Sequence, residues 1–416
     1  MPRPRTIAIG AFALLLAAAP LVPRGGGDDG ALRPSGEQKP AALLPADAVG
    51  YGTVTPDLQR EIDRVVHEGL TLGRVSARRT PEQAAADLVR CADFAGQRYC
   101  LHTGWTTSDP AEVRTRVAVA ARSLAARPTS TTAPTGDLDV LDTLRRTAAL
   151  DPTARADAER AELTRAARSV AKVWLLRHEI EGVKVPAAFL DDHPEARATA
   201  PTAARGSTAT TSSATATPQA ARIKTLRDYP QRGEILSTRR VAEQERTYWC
   251  GPTTMQMIAW NWKKYDAGQA HWADRLGTTS QGTAITDMVR VVNSSTGWDR
   301  PEYAGPYIPL DIGDYTFPQW KLLLMRHIVD YRAPIVLHPI LLQEFYPYLD
   351  DDASGHFQVG RGYDKRGHKT LTIGYFEPWN QQRFDPSEPY IDRVQWRQAY
   401  KSFRANQAHF QHNIGV

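Results

Sequence analysis

The chain has 416 residues, a formal net charge of +5 and 42% hydrophobic residues, which suits two domains or one domain with a long extension. The charge is dispersed, and basic and acidic residues nearly balance from Ile223 onward. Because there is no basic stripe interleaved with aromatic residues, we expect no nucleic-acid partner.

Residues 1–24 have the pattern of a secretory signal peptide. Arg3 and Arg5 form a charged start, an apolar run covers 7–19, and three alanines at 17–19 offer a cleavage site. The run is short for a membrane span, so an uncleaved anchor is the alternative interpretation. We therefore expect a secreted, extracellular protein with no membrane contact beyond export. The Gly-, Pro- and Ala-rich residues 25–50 are expected to be disordered.

Residues 51–193 are predicted to form a mostly helical N-terminal region with one disulfide. Apolar residues at helical spacing start at Leu58, and Pro81 opens a second helix that runs to Asp93. Further helices are predicted over 112–126 and 136–150, with a Thr- and Pro-rich break over 127–135. Asp151 and Pro152 are a good N-cap and first-turn pair for a long helix that ends near Glu181.

The chain contains three cysteines, Cys91, Cys100 and Cys250. An exported protein tends to pair its thiols, and Cys91 and Cys100 are close in sequence, so we interpret them as a disulfide. The alternative is two free thiols. With that disulfide, Cys250 is the unpaired cysteine.

A composition rich in Ala, Thr, Ser and Pro predicts a flexible linker over 194–222. Most tryptophans follow it, which indicates a packed domain over 223–416. Helices are predicted first, over 251–264, 283–293 and 316–330. Strands over 334–341, 356–363 and 369–376 and a helix over 394–404 come after them. Helices followed by an antiparallel sheet give an α+β fold.

Cys250 precedes Gly251 and Pro252, a pattern typical of a helix start, where the helix dipole favours the nucleophilic thiolate. A thiol hydrolase also needs a base and donors for the oxyanion. His356 in a later strand is the candidate base. Gln244 and the Cys250 backbone N–H are the candidate donors. Glu377, at the end of the next strand, is the candidate that orients the imidazole.

These residues resemble the bacteriocin-processing (double-glycine leader) cysteine peptidase family, most of all its stand-alone secreted branch. The similarity covers about 240–380, and it rests on Gln244, Cys250-Gly251-Pro252-Thr253, the run from Gly355-His356 to Asp364, and Glu377-Pro378. The resemblance implies a papain-like fold with a Cys-His-Asp triad and a glutamine in the oxyanion hole. Glu377 stands where that family usually has Asp, so Asn380 and Asp385 are alternative orienting residues.

The sequence thus predicts a secreted cysteine hydrolase that cleaves a peptide or isopeptide amide of a peptide or protein substrate, without cofactor or metal. Asp350-Asp351-Asp352 lacks the ligand spacing of a calcium loop and is interpreted as a solvated acidic loop. Two alternatives stay open, namely a catalytically silent domain that binds peptide or cell-wall polymer, and a thiol acyltransferase. His338 lies in an apolar run and is expected in the core, and Gln244 has the alternative of a surface position.

Overall fold

The computed structural model describes residues 51–72, 86–125, 135–193, 196, 223–376 with gaps at 238, 263, 348, 350–351 and 367–371, and then 378, 393–405 and 413–416. The predicted signal peptide (1–24), the stretch 25–50 and almost all of the linker (194–222) lie outside these residues. The described part of the chain is α+β, as predicted, with helices around one ten-stranded sheet. No helix in it is both long and apolar enough to cross a membrane.

The N-terminal helices follow the predicted order. They are α1 (Pro56–Leu72), α2 (Pro110–Ala125), α3 (Val140–Ala148), α4 (Pro152–Arg168), α5 (Val170–Glu181) and α6 (Ala187–Asp192). Asp151 caps α4 as expected, because its carboxylate accepts the N–H groups of Thr153 and Ala154 at 3.0 Å each. The single long helix to Glu181 was wrong, because the chain bends at Ser169 between α4 and α5.

The region predicted as mostly helical over 51–193 also contains three strands that the sequence did not predict, β1 (Cys91–Phe94), β2 (Gln97–Cys100) and β3 (Gly104–Thr106). The helix predicted to run to Asp93 gives way to β1. Ala95 and Gly96 both have positive φ, 52° and 82°, the geometry of a two-residue hairpin turn. Cys91 and Cys100 are paired in the antiparallel register and form the predicted disulfide, which confirms it.

The C-terminal helices and strands that were predicted occur in the predicted order, but short strands and a helix that were not predicted lie among them, so the helices do not all precede the strands. A short 3₁₀ turn (Leu226–Asp228) comes first. The elements that follow are β4 (Arg232–Glu234), α7 (Cys250–Asn261), α8 (Gln269–Leu276), α9 (Ile285–Ser295), β5 (Pro309–Leu310), α10 (Phe317–Val329), β6 (Ile335–Leu337), β7 (Gln358–Asp364), β8 (Thr372–Phe376), β9 (Arg393–Gln395), α11 (Trp396–Ala405) and β10 (Ile414–Gly415).

One sheet joins the two parts of the chain. Its strand order is β1-β2-β3-β5-β10-β6-β7-β8-β9, and β4 pairs with β7 outside this path. The pairs are antiparallel except β3 with β5, where Trp105 lies opposite Leu310. Next to that pair, the Asp311 N–H donates to the Trp105 carbonyl at 2.8 Å. The hairpin before the linker therefore extends the sheet that follows it.

The largest apolar cluster also draws on both parts. Ile62, Trp105 and Leu176 lie in the same cluster as Trp320 and Phe403, and all five are almost fully buried. Charged contacts cross the same boundary, since Arg326 of α10 pairs with Glu179 of α5, and both side chains are largely buried. The division of the chain into domains at the linker stays a prediction. The described residues on its two sides share a sheet and a core.

Candidate active site

Cys250 is the first residue of α7, and its side chain is fully buried. Pro252 occupies the first turn, and the Thr253 backbone N–H closes the turn by donating to the Trp249 carbonyl at 3.0 Å. The Cys250 N–H has no acceptor within the helix and donates to the Thr135 carbonyl at 3.2 Å. The positive end of the α7 dipole therefore lies at Cys250.

Gln244 lies on the approach to α7 and is only 5% exposed, so the surface alternative does not hold. Its side-chain Nε2 donates to the Arg246 and Thr247 carbonyls at 2.9 and 2.8 Å. The same nitrogen also lies 3.3 Å from the Thr135 carbonyl, and because an amide nitrogen has two N–H bonds for these three acceptors, one of them is shared. The side-chain amide of Gln244 and the backbone N–H of Cys250 thus point at one carbonyl oxygen.

His356 lies two residues before β7 and is fully buried. Its backbone N–H donates to the Pro339 carbonyl at 2.8 Å. The next residue, Phe357, accepts a hydrogen bond at 3.1 Å from the hydroxyl of Thr254, which lies in the first turns of α7. This bond holds the start of the histidine strand against the helix that begins with Cys250.

Thr135 contacts Cys250, Gln244 and the residue that precedes His356. Its carbonyl accepts from Cys250 and Gln244, and its hydroxyl donates at 2.5 Å to the carbonyl of Gly355, the residue before His356. Sequence reasoning missed Thr135, which belongs to the Thr- and Pro-rich break between two predicted helices. Nothing in its local sequence signals the contact, because the contact is formed by residues more than one hundred positions away.

Gln269 of α8 is a second residue that the sequence did not reveal. It is 2% exposed, and its Oε1 accepts from the Glu245 N–H at 2.9 Å and from the Thr253 hydroxyl at 2.8 Å. Its Nε2 donates to the Glu243 carbonyl at 2.6 Å. Gln269 therefore holds both neighbours of Gln244 in place relative to the first turn of α7.

His338 follows β6 and is buried, as expected, although its surroundings are not purely apolar. Its ring stacks on Phe357 with the centroids 4.5 Å apart, next to His356. Its Nε2 lies 2.8 Å from Oδ1 of Asp137, and both side chains are almost completely buried. A second histidine and a carboxylate from the N-terminal part thus border the predicted site.

The predicted orienting residues Glu377, Asn380 and Asp385 lie outside the described residues. Two neighbours of Glu377 are placed. Phe376 lies opposite Val359 of β7, and the Pro378 carbonyl accepts the backbone N–H of Gln244 at 2.9 Å. The end of β8 is therefore close to both the histidine strand and the glutamine. Among the described residues, no group of His, Cys, Asp and Glu side chains has the arrangement of a metal site.

Comparison with known protein families gives a match for the C-terminal part of the chain. No curated protein and no solved structure matches the chain. Residues 237–407 match the model of the Peptidase_C39 like family. The matched range contains Gln244, Cys250, His356 and Glu377. The match supports a C39-type cysteine peptidase-like relationship for this part of the chain.

Proposed function

We propose that this protein is a secreted cysteine hydrolase that cleaves a peptide or isopeptide amide, with a papain-like arrangement of its C-terminal part. The observation that carries the proposal is the pair of donors that meet at one peptide carbonyl. Both belong to the surroundings of Cys250, at 3.2 and 3.3 Å from the oxygen. Two donors that reach a neutral carbonyl at these distances could form shorter, stronger hydrogen bonds to the oxyanion of a substrate bound in the same position.

In the proposed reaction, Sγ of Cys250 attacks the carbonyl carbon of the substrate, and the electron pair of the C=O bond moves to the oxygen. His356 takes the thiol proton and passes it to the leaving amine as the C–N bond breaks. Water then adds to the thioester, His356 accepts a proton from that water, and the C–S bond breaks to release the acid. Glu377, or Asn380 in its place, would orient the imidazole and stabilise its charged form.

Export is the second part of the proposal. The predicted signal peptide over 1–24 supports it, and so does the Cys91–Cys100 disulfide, because such bonds persist mainly in oxidising compartments. Of the three cysteines in the chain, Cys250 is the one outside this disulfide.

The test compares wild type with Cys250→Ala and Cys250→Ser on a peptide library, with cleavage products followed by mass spectrometry. Both variants should lose cleavage by several powers of ten and keep the thermal melt of wild type. Full activity in a folded Cys250→Ala protein would end the proposal. Added amines separate hydrolysis from acyl transfer, since a transferase would give amide products in place of acids.

A further inference from the structure

The predicted oxyanion site is occupied by the protein itself. The carbonyl at the two donors belongs to Thr135, and Thr135 is fully buried. A substrate carbonyl needs the same two donors, so Thr135 and a substrate cannot occupy the site together. The exposure of the nucleophile agrees with this, because Cys250 has no solvent-accessible surface.

The residues after Thr135 are held by backbone hydrogen bonds along the site. The Thr283 N–H donates to the Gly136 carbonyl at 2.9 Å, and the Leu138 N–H donates to the Thr283 carbonyl at 2.9 Å. Asp137 and Thr283 form a parallel bridge between these two bonds. Extended segments bind by this kind of main-chain pairing when they act as peptide ligands.

Side chains fix the same residues on both sides of the Thr135 carbonyl. Before it, the Thr135 N–H donates to the Ser354 hydroxyl at 3.0 Å, and the Thr135 hydroxyl donates to Gly355. After it, the buried carboxylate of Asp137 lies against His338. Pairing a buried carboxylate with a histidine offsets part of the cost of removing it from water.

We propose that residues 135–138 are an intramolecular inhibitor of the Cys250 site, bound in place of a substrate. This inference rests on the proposed hydrolase function. Because the residues are tethered to the site, their effective concentration is high without any partner. Catalysis then requires a minor state in which they have moved away, and the apparent affinity for substrate falls by the fraction of molecules in that state.

The anchoring also explains why the segment would act as an inhibitor and not as a substrate. If Cys250 attacked the Thr135 carbonyl, the new amine of Gly136 would stay beside the thioester, held through Thr283 and Asp137. A held amine has a far higher effective molarity than a diffusing nucleophile, so the peptide bond would reform before hydrolysis. The Thr135–Gly136 bond is therefore expected to stay intact.

Gly136 gives a direct way to displace the segment. It has a φ of +105°, and a Cβ built on it would lie 2.1 Å from the carbonyl oxygen of Tyr248 and 2.7 Å from its Cα. These are backbone atoms next to Trp249 and Cys250, so they cannot move aside cheaply. Gly182 is a matched control, because it also has a positive φ, +75°, but a Cβ there would meet nothing within 4 Å.

The experiment measures alkylation of Cys250 by iodoacetamide and cleavage of the peptide library, in wild type, Gly136→Ala and Gly182→Ala. Gly136→Ala should raise the alkylation rate of Cys250 about tenfold or more, and should raise cleavage with it. Gly182→Ala should match wild type in both. An unchanged alkylation rate in folded Gly136→Ala would overturn the inhibitor, and so would Cys250-dependent cleavage at Thr135–Gly136 in the intact mass.

Thr135→Val keeps the test open if Gly136→Ala does not fold. It is isosteric and removes the hydroxyl that donates to Gly355, so it should raise both rates by a smaller factor. The two proposals fail in different ways. Faster alkylation without any cleavage would support the blocking segment and contradict the hydrolase, whereas equal, Cys250-dependent cleavage in all variants would support the hydrolase and contradict the inhibitor.

Discussion

Asp311 joins the two parts of the chain and should make the stability of the fold depend on pH. It is 8% exposed, and its carboxylate accepts the Thr106 hydroxyl at 2.7 Å and the Gly313 N–H at 2.8 Å. Thr106 ends β3, in the hairpin that precedes the linker. Burial, with a smaller contribution from the charge of Asp314, raises the pKa of Asp311 to about 7 from an ordinary value of 3.8.

The sign follows from proton binding. The folded state holds the proton of Asp311 more tightly than the unfolded state, so the stability that Asp311 contributes to the fold is fully present below pH 3.8. It is lost as pH rises from there through about 7. The two pKa values differ by about three pH units, each worth about 1.4 kcal/mol, which gives about 4 kcal/mol as an upper bound. Asp311→Asn removes this dependence, because an amide cannot ionise and Nδ2 can donate to the Thr106 oxygen.

The assay is urea unfolding of wild type and Asp311→Asn between pH 4 and pH 8.5. The two proteins should have similar free energies of unfolding near pH 4, and the variant should be more stable by a few kcal/mol at pH 8.5. Glu179, Asp299 and Lys172 also have pKa values of about 7, so the pH profile of the wild type sums their contributions with that of Asp311. The difference between the two profiles isolates Asp311, and parallel profiles would refute the reasoning.

Two further predictions concern residues that position the site. Gln269→Leu removes the hydrogen bonds to both neighbours of Gln244, so kcat should fall about tenfold to a hundredfold with little change in KM. A rise of the same size in KM with kcat unchanged would contradict this role. Glu377→Gln should lower the rate of cleavage moderately if Glu377 orients the histidine, whereas a large loss in Asn380→Ala beside a near-normal Glu377→Gln would assign that role to Asn380. Thermal melts of each variant are the control for folding.

The elements that the sequence predicted well have strong local signals. The Asp151–Pro152 pair starts α4, Cys250-Gly251-Pro252 starts α7, and an apolar run marks β6. The elements it missed are defined by partners that are distant in the chain. β5 and β10 have two residues each, and only their pairing makes them strands. β1 and β2 depend on a turn through Ala95, a residue with no local preference for positive φ.

The candidate site divides in the same way. Cys250, Gln244 and His356 are visible because each stands in a local pattern with chemical meaning. Thr135 and Gln269 are not, because one lies in a polar break between helices and the other looks like any glutamine in the first turn of a helix. Their roles come from hydrogen bonds between segments that are far apart in sequence, as in the bond from Thr135 to Gly355.

The shared sheet limits how the blocked site can open. If the N-terminal region were a removable pro-segment, its departure would expose the cluster that contains Trp105 and Trp320, separate β3 from β5, and leave Arg326 without Glu179. Breaking such contacts costs far more than displacing a few residues, because apolar burial contributes about 25 cal/mol per Å² and a buried charge must keep its partner. Residues 135–138 are held by hydrogen bonds and by the contact of Asp137 with His338, and displacing them leaves the β3–β5 pair, the apolar cluster and the Arg326–Glu179 pair intact. Activation of Cys250 is therefore expected as a local opening of 135–138, with the N-terminal helices still in place.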